Sequence, residues 1–171
     1  KQDALIEEAK EGLQAKHDEA EQFLNELKFD DALKAASVIG EQNDLRLQQF
    51  SAWHEEFSAR LESSRTSEHA RLEQLLREAQ AHEQAYDYEA GLQTLTQVAP
   101  SLKQTTVSGS EDTADILTER LTTKQSRLKE LETIVRERVS KREIAGLLFL
   151  VDQLLTLKPD RPEVQKLKAQ L

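Results

Sequence analysis

Leu27-Lys28-Phe29-Asp30-Asp31-Ala32-Leu33 is a short stretch of the chain with two variants further along. The second version is Ala85-Tyr86-Asp87-Tyr88-Glu89-Ala90-Gly91-Leu92, and the third is Val139-Ser140-Lys141-Arg142-Glu143-Ile144-Ala145-Gly146-Leu147. In each version one helical pattern ends, polar residues turn the chain, and a second helical pattern begins. Aligning Leu33, Leu92 and Leu147 gives spacings of 59 and 55 residues. A period in this range is typical of helical arrays, in which each unit covers its neighbour.

A small residue stands near the start of the second helix in each version: Ala32, Gly91 and Gly146. We expect this residue to let the second helix pack closely on the first. A bulky residue in place of Gly146 should then force the last hairpin apart, because overpacking a core costs ~1–3 kcal/mol.

Apolar residues recur at helical spacing along almost the whole chain, so the predicted fold is all-α with seven to eight helices and no strand. The polar residues 63–68 are expected to separate the third helix from the fourth. The apolar stretch from Ile144 to Val151 should form a core helix and anchor the fold. The helices are expected near residues 3–28, 30–39, 43–62, 67–86, 90–98, 111–139, 144–158 and 163–171.

Composition narrows the class of protein further. Of the residues, 37% are hydrophobic and 32% charged, with only five glycines and three prolines, which favours long helices over disorder. There is no cysteine, so no disulfide or thiolate site is possible. No apolar run approaches the ~20 residues that cross a bilayer, and no membrane partner is expected. The absence of Met, even at position 1, predicts a piece of a longer protein.

Charge is distributed unevenly along the chain. Residues 1–64 carry 7 basic and 15 acidic side chains, residues 65–119 carry 4 and 10, and residues 120–171 carry 12 and 7. These three ranges are also the approximate repeat units of one predicted helical array. The acidic body argues against nucleic acid as a partner, because phosphates would be repelled. The basic end could instead meet an acidic partner or the acidic end of a second copy.

The repeated turn resembles a known family of helical repeats. Phe29-Asp30-Asp31-Ala32-Leu33 is similar to the aromatic-x-x-Ala-aliphatic turn of tetratricopeptide repeats, and Leu154-Leu155-Thr156-Leu157-Lys158-Pro159 resembles the end of such a repeat. Glu143 replaces the aromatic in the third version, and the period exceeds the family's ~34 residues. The resemblance implies hairpins with coiled-coil-type insertions that form a scaffold for protein partners. A plain antiparallel helical bundle is the alternative.

The sequence offers little for catalysis or metal binding. His17 with Glu21, and Glu78 with His82, lie four residues apart, but Glu-x-x-His and His-Glu-x-x-His motifs are missing. The glycines are isolated, so no phosphate-binding loop is formed. We therefore expect no enzyme, no catalytic residue, no metal and no cofactor.

Candidate partner-binding residues come from the aromatic and basic side chains. Trp53 lies on an apolar stripe and could be core or interface, whereas Tyr88 at a turn should be the more exposed of the Tyr86 and Tyr88 pair. The basic residues near the end of the long sixth helix could form an electrostatic contact or simply complement the helix C-terminus. They are Arg136, Arg138, Lys141 and Arg142.

Three functions fit these observations. The first is a non-catalytic module or scaffold that binds a protein or peptide. The second is a structural element that dimerises through the 65–86 and 111–139 helices, with Lys124 interrupting the near-heptad pattern of the latter. The third is a ligand-binding helical bundle, which would need a polar pocket. A homo-oligomer is compatible with the first two.

Overall fold

The chain folds entirely into helices. A computed structural model describes all 171 residues, Lys1–Leu171. It contains seven α-helices and no strand, as predicted. None of them combines the length and apolar character needed to cross a membrane. The helices are α1 (Gln2–Asn25), α2 (Phe29–Gly40), α3 (Gln48–Gln84), α4 (Tyr88–Leu95), α5 (Ala114–Ser140), α6 (Leu147–Leu157) and α7 (Pro162–Gln170).

Helix α3 is continuous through the segment where a boundary was predicted, so the expected break at residues 63–68 is wrong. Serine and threonine weaken a helix by only a few tenths of a kcal/mol each, and the segment contains no proline or glycine. Leu61 and Leu72 are both buried, and their separation of eleven residues equals three helical turns. Packing of one continuous apolar face therefore outweighs the weak local preference for a break.

The residues divide into two compact units. Unit 1 comprises Lys1–Leu72 with Ala99–Leu102, and unit 2 comprises Glu73–Val98 with Lys103–Leu171. Helix α3 contributes its first part to unit 1 and its last part to unit 2. The repeat boundaries expected at residues 64 and 119 fall inside α3 and α5.

Unit 1 is organised around the α1–α2 hairpin. Ala20 of α1 and Ala32 of α2 are fully buried, which allows two helix backbones to approach closely. Ile39, Leu47 and Phe50 form an apolar cluster. The partly buried side chains packed against this cluster are Ile6, Leu13 and Trp53.

Unit 2 is organised around α5, which packs against α4 and α6. Its near-heptad residues face the interior of the unit. The buried ones are Leu117, Leu121, Leu128, Leu131 and Val135. From α6, Leu147, Val151 and Leu154 are buried, as expected for an anchoring helix. Helix α7 packs against α6 and has no buried residue.

The three repeated turns begin with the same backbone geometry. In each, a single residue adopts the left-handed conformation at the end of a helix, with φ of 58° at Leu27, 60° at Tyr86 and 56° at Arg142. The next amide donates to a carbonyl five residues back, which is the Schellman motif. The three bonds run from Lys28 N to Phe23 O, from Asp87 N to His82 O and from Glu143 N to Arg138 O.

These turns align the third version one residue differently from the sequence comparison. The left-handed residues are 59 and 56 residues apart, so Leu147 corresponds to Ala32 and Gly91. Burial follows the same alignment, because the fifth, ninth and twelfth residues after each left-handed residue are buried. They are Ala32, Ala36 and Ile39; Gly91, Leu95 and Val98; and Leu147, Val151 and Leu154.

The expectation of a close-packed small residue holds at Gly91 and is wrong at Gly146. A Cβ added to Gly91 would lie 2.8 Å from Leu121 Cδ1 and 3.4 Å from the carbonyl oxygen of Ala79. At Gly146 the nearest atom would be Arg138 Nη1 at 3.6 Å, an ordinary contact. Gly146 has a φ of 73° and precedes the first residue of α6, so its backbone conformation is what favours glycine there.

Candidate partner-binding surfaces

Trp53 is an integral part of the packing of unit 1. Its ring stacks on Phe57 with centroids 4.6 Å apart and lies 4.5 Å from the ring of His17. The indole Nε1 donates a hydrogen bond of 2.9 Å to Glu21, which also accepts from Arg60. The hydrogen bond from Arg60 is the main reason why the pKa of Glu21 lies below its usual value. Trp53 is half-buried, and its polar atom is already satisfied within the chain.

The exposures of the two tyrosines are the reverse of the expectation. Tyr88 is only 4% exposed. Its hydroxyl donates a hydrogen bond to the carbonyl of Leu157, which is 69 residues away in the sequence. The ammonium of Lys124 lies 5.9 Å from the centre of the Tyr88 ring, and burial raises the pKa of the phenol. Tyr86 is 37% exposed because it occupies the left-handed turn position.

Tyr86 lines a small cleft in unit 2. Its volume is about 170 Å³, below the ~300–1,000 Å³ of ordinary ligand pockets. Its lining contains three basic side chains, Lys129, Lys158 and Arg161, and three acidic ones, Asp87, Glu89 and Glu132. Arg161 pairs with Glu132. The mixture of charges, together with the small volume, makes this cleft a poor site for a ligand.

The basic residues predicted for partner contact lie together at the end of α5, which ends at Ser140. Arg136, Lys141 and Arg142 are exposed, and Arg138 is half-buried. Arg138 Nη1 donates a 2.7 Å hydrogen bond to the carbonyl of Ala145 and so ties the turn to the helix.

Within unit 2, no carboxylate oxygen lies within 4.0 Å of these four cationic groups, whereas every other arginine of the unit has such a partner. The paired arginines are Arg77, Arg120, Arg127 and Arg161. The α5 end is therefore the place in unit 2 where arginine charge is left uncompensated.

An apolar groove lies beside these cations. It has a volume of about 280 Å³, and its polar lining consists of Arg138, Arg142, Glu143 and Gln170. The apolar residues that line it are Val139, Ile144, Leu147, Leu167 and Leu171. Ile144 is 68% exposed, although the sequence pattern placed it in the core of a helix. Because α6 starts only at Leu147, Ile144 stays in the preceding turn.

Sequence reasoning found the cations of this surface and missed its apolar part. Val139 and Leu171, which line the groove, are both more than 40% exposed. The third turn has Ile144 at the position of the buried Phe29 and Tyr88, and this departure from the repeat is the feature of the sequence that could have indicated the apolar part.

The two carboxylates of unit 2 whose pKa values are lowered, Glu83 and Asp112, belong to one ion-pair network. Arg120 donates to Asp112 and to Glu83, and these hydrogen bonds lower the pKa of both carboxyl groups. Lys124 Nζ lies 3.5 Å from Glu83. A general acid needs a raised pKa, so this arrangement stabilises the fold and does not prepare a proton donor.

Comparison with known proteins identifies no relative. No protein-family model, no curated protein and no solved structure matches the chain significantly.

Proposed function

We propose that this chain is a non-catalytic protein-interaction module built from divergent, tetratricopeptide-like helical hairpins. The observation that carries the proposal is the surface at the end of α5, where an open apolar groove lies beside arginines without carboxylate partners in their unit. Exposed apolar side chains rimmed by polar groups are typical of protein interfaces, and arginine is enriched there.

The hairpin part of the proposal is supported by the three Schellman turns and the burial pattern that follows each of them. Phe29 and Tyr88 stand two residues after their turns and are buried, in keeping with the aromatic position of the resembled repeat. The third hairpin departs at this position, where it has the exposed Ile144.

The geometry supports a binding role over a catalytic one. Glu21, Glu83 and Asp112 all have lowered pKa values, and each is hydrogen-bonded to an arginine. Their charges are therefore committed to structural ion pairs.

The dimerising coiled-coil element is the second candidate. Its expected contact face on α5 is occupied within the chain, since Leu117, Leu121 and Leu128 are buried. Lys124, which interrupts the heptad pattern, contacts Glu83 and the Tyr88 ring. A dimer would therefore have to use another surface.

Two measurements test the proposal. Light scattering over a wide concentration range should give a constant mass near 19.5 kDa, whereas a mass that rises with concentration would favour the dimerising element. Quantitative affinity capture on the immobilised chain, from a lysate of cells that produce it, should retain at least one protein that the free chain displaces. Retention of no displaceable protein would contradict the binding role.

A further inference from the structure

The apolar groove exists because the third hairpin is built differently from the first two. The second residue after the left-handed turn position is Phe29 in the first hairpin and Tyr88 in the second, and both are buried as the first residue of a helix. The corresponding Ile144 precedes α6 by three residues. Its side chain therefore remains uncovered.

Two other exposed apolar side chains line the groove with Ile144. They are Val139, which is 44% exposed, and Leu171, which is 42% exposed. Isolated apolar residues are common on surfaces, but a concentration around one groove marks an interaction site.

The charges beside the groove select the partner. Arg136, Arg138 and Arg142 have no carboxylate within 4.0 Å in their unit, unlike the four other arginines there. A guanidinium binds a carboxylate through two parallel hydrogen bonds, a geometry that lysine cannot reproduce. Residues 136–143 hold four basic and two acidic side chains, so the excess of positive charge lies at the groove itself.

We propose that this groove binds an acidic amphipathic helix of a partner protein, an inference that rests on the proposed function and names its partner class. Apolar side chains spaced by one helical turn would enter between Val139, Ile144 and Leu171, while Asp and Glu on the flanks would pair with the arginines. The chain has no strand edge to extend, so a helix laid in a groove is the fitting mode of recognition. An anionic bilayer would meet the same charges but cannot follow a concave surface into the groove.

Fluorescence anisotropy with a labelled peptide of roughly 18 residues, about five helical turns, tests the proposal directly. The peptide carries leucine and phenylalanine on one face and glutamate and aspartate on the other. A control peptide replaces the acidic residues with lysine. The intact chain should bind the acidic peptide saturably, more weakly at high salt, and should bind the lysine peptide at least about tenfold less tightly.

Two variants and two matched controls locate the site. Ile144→Asp should weaken binding about tenfold or more, whereas Ile116→Asp, at a similarly exposed isoleucine of the same unit, should leave it unchanged. Arg136→Gln with Arg142→Asn should weaken binding and flatten its salt dependence, since asparagine tolerates the left-handed turn position. Lys103→Gln with Lys129→Gln removes the same charge elsewhere in the unit, since Lys129 lines the other cleft, and should have no effect.

The outcomes separate this inference from the broader one. If the Ile144→Asp variant binds the peptide as tightly as the wild type, or if the acidic peptide does not bind, the groove assignment is wrong. The proposed interaction module would still stand if the affinity capture retained a protein that the free chain displaces. Binding to vesicles that contain phosphatidylserine without binding to the peptide assigns the surface to a membrane and overturns it as well. A mass that rises with concentration in the wild type but not in Ile144→Asp identifies a second copy as the occupant and also overturns it.

Discussion

Glycine can be required in a helical hairpin because a neighbouring side chain packs too closely for a Cβ, or because the backbone is left-handed. Substitutions at Gly91, Gly146 and Gly12 distinguish these two reasons. A methyl group at Gly91 would lie 2.8 Å from Leu121 Cδ1, whereas carbon atoms in contact are normally ~3.5–4.0 Å apart. Leu121 is fully buried, so it has to move by roughly 1 Å into a filled core. Overpacking costs ~1–3 kcal/mol, and alanine recovers ~1 kcal/mol of helix propensity.

We therefore expect the cost at Gly91 to rise with side-chain size. Gly91→Ala should destabilise unit 2 by about 1 kcal/mol, and Gly91→Leu by about 3 kcal/mol, because the Cβ position is already enclosed by Leu121, Ala79 and His82 and leaves no room for further atoms.

At Gly146 the cost should be independent of size. Its φ of 73° penalises any side chain by ~1–2 kcal/mol, but the space around its Cβ is open except for one arginine nitrogen. Gly146→Ala and Gly146→Leu should both cost about 1 kcal/mol, and Gly146→Asn should cost less.

Gly12, inside α1, is the matched control. Nothing lies within 4 Å of its added Cβ, and its backbone is helical, so Gly12→Ala should stabilise the chain by up to about 1 kcal/mol. Urea unfolding followed by far-UV circular dichroism measures all these differences. A cost that grows with size at Gly146, or no growth at Gly91, would refute the reasoning.

Three further predictions concern side chains. Arg120→Ala should destabilise unit 2 by about 1–2 kcal/mol, because it leaves Asp112 without its cation and Glu83 with Lys124 alone. The lowered pKa values of these two carboxyls contribute stability that is present above about pH 4 and is lost as the pH falls below it. The Arg120→Ala variant should therefore lose less stability on acidification than the wild type. Parallel acid titrations of both proteins measure this difference. Tyr88→Phe should cost about 1–2 kcal/mol in urea unfolding, since a carbonyl loses its hydrogen bond; unchanged stability would contradict the contact. Trp53, the single tryptophan, should report the unfolding of unit 1 by fluorescence, and circular dichroism should show an additional transition if unit 2 unfolds separately.

Much of the local structure was predictable because it depends on neighbours in the sequence. The apolar periodicity predicted the helices. The polar residues Asp30, Asp31 and Asp87 marked the places where two of the helices begin after a turn. The position of Gly91 in a close contact followed from the same pattern. The break expected at residues 63–68 failed because weak local preferences yielded to packing along the continuous face of α3.

The candidate surface was predictable only in part. The cations from Arg136 to Arg142 are adjacent in the sequence, so their clustering on the end of α5 could be read directly. Their lack of carboxylate partners depends on which acidic side chains come near, and this is a property of the folded unit.

The sequence by itself determined that the chain is helical, where most of its helices turn, and which residue types the turns require. These features depend on backbone hydrogen bonds and side-chain spacings that span a few residues. Only the tertiary structure decided that Tyr88 is buried and Ile144 exposed. The hydroxyl of Tyr88 meets a carbonyl 69 residues away, while Ile144 lies in the turn before α6 and is 68% exposed. Burial is set by contacts between residues far apart in the chain, and no local pattern specifies them.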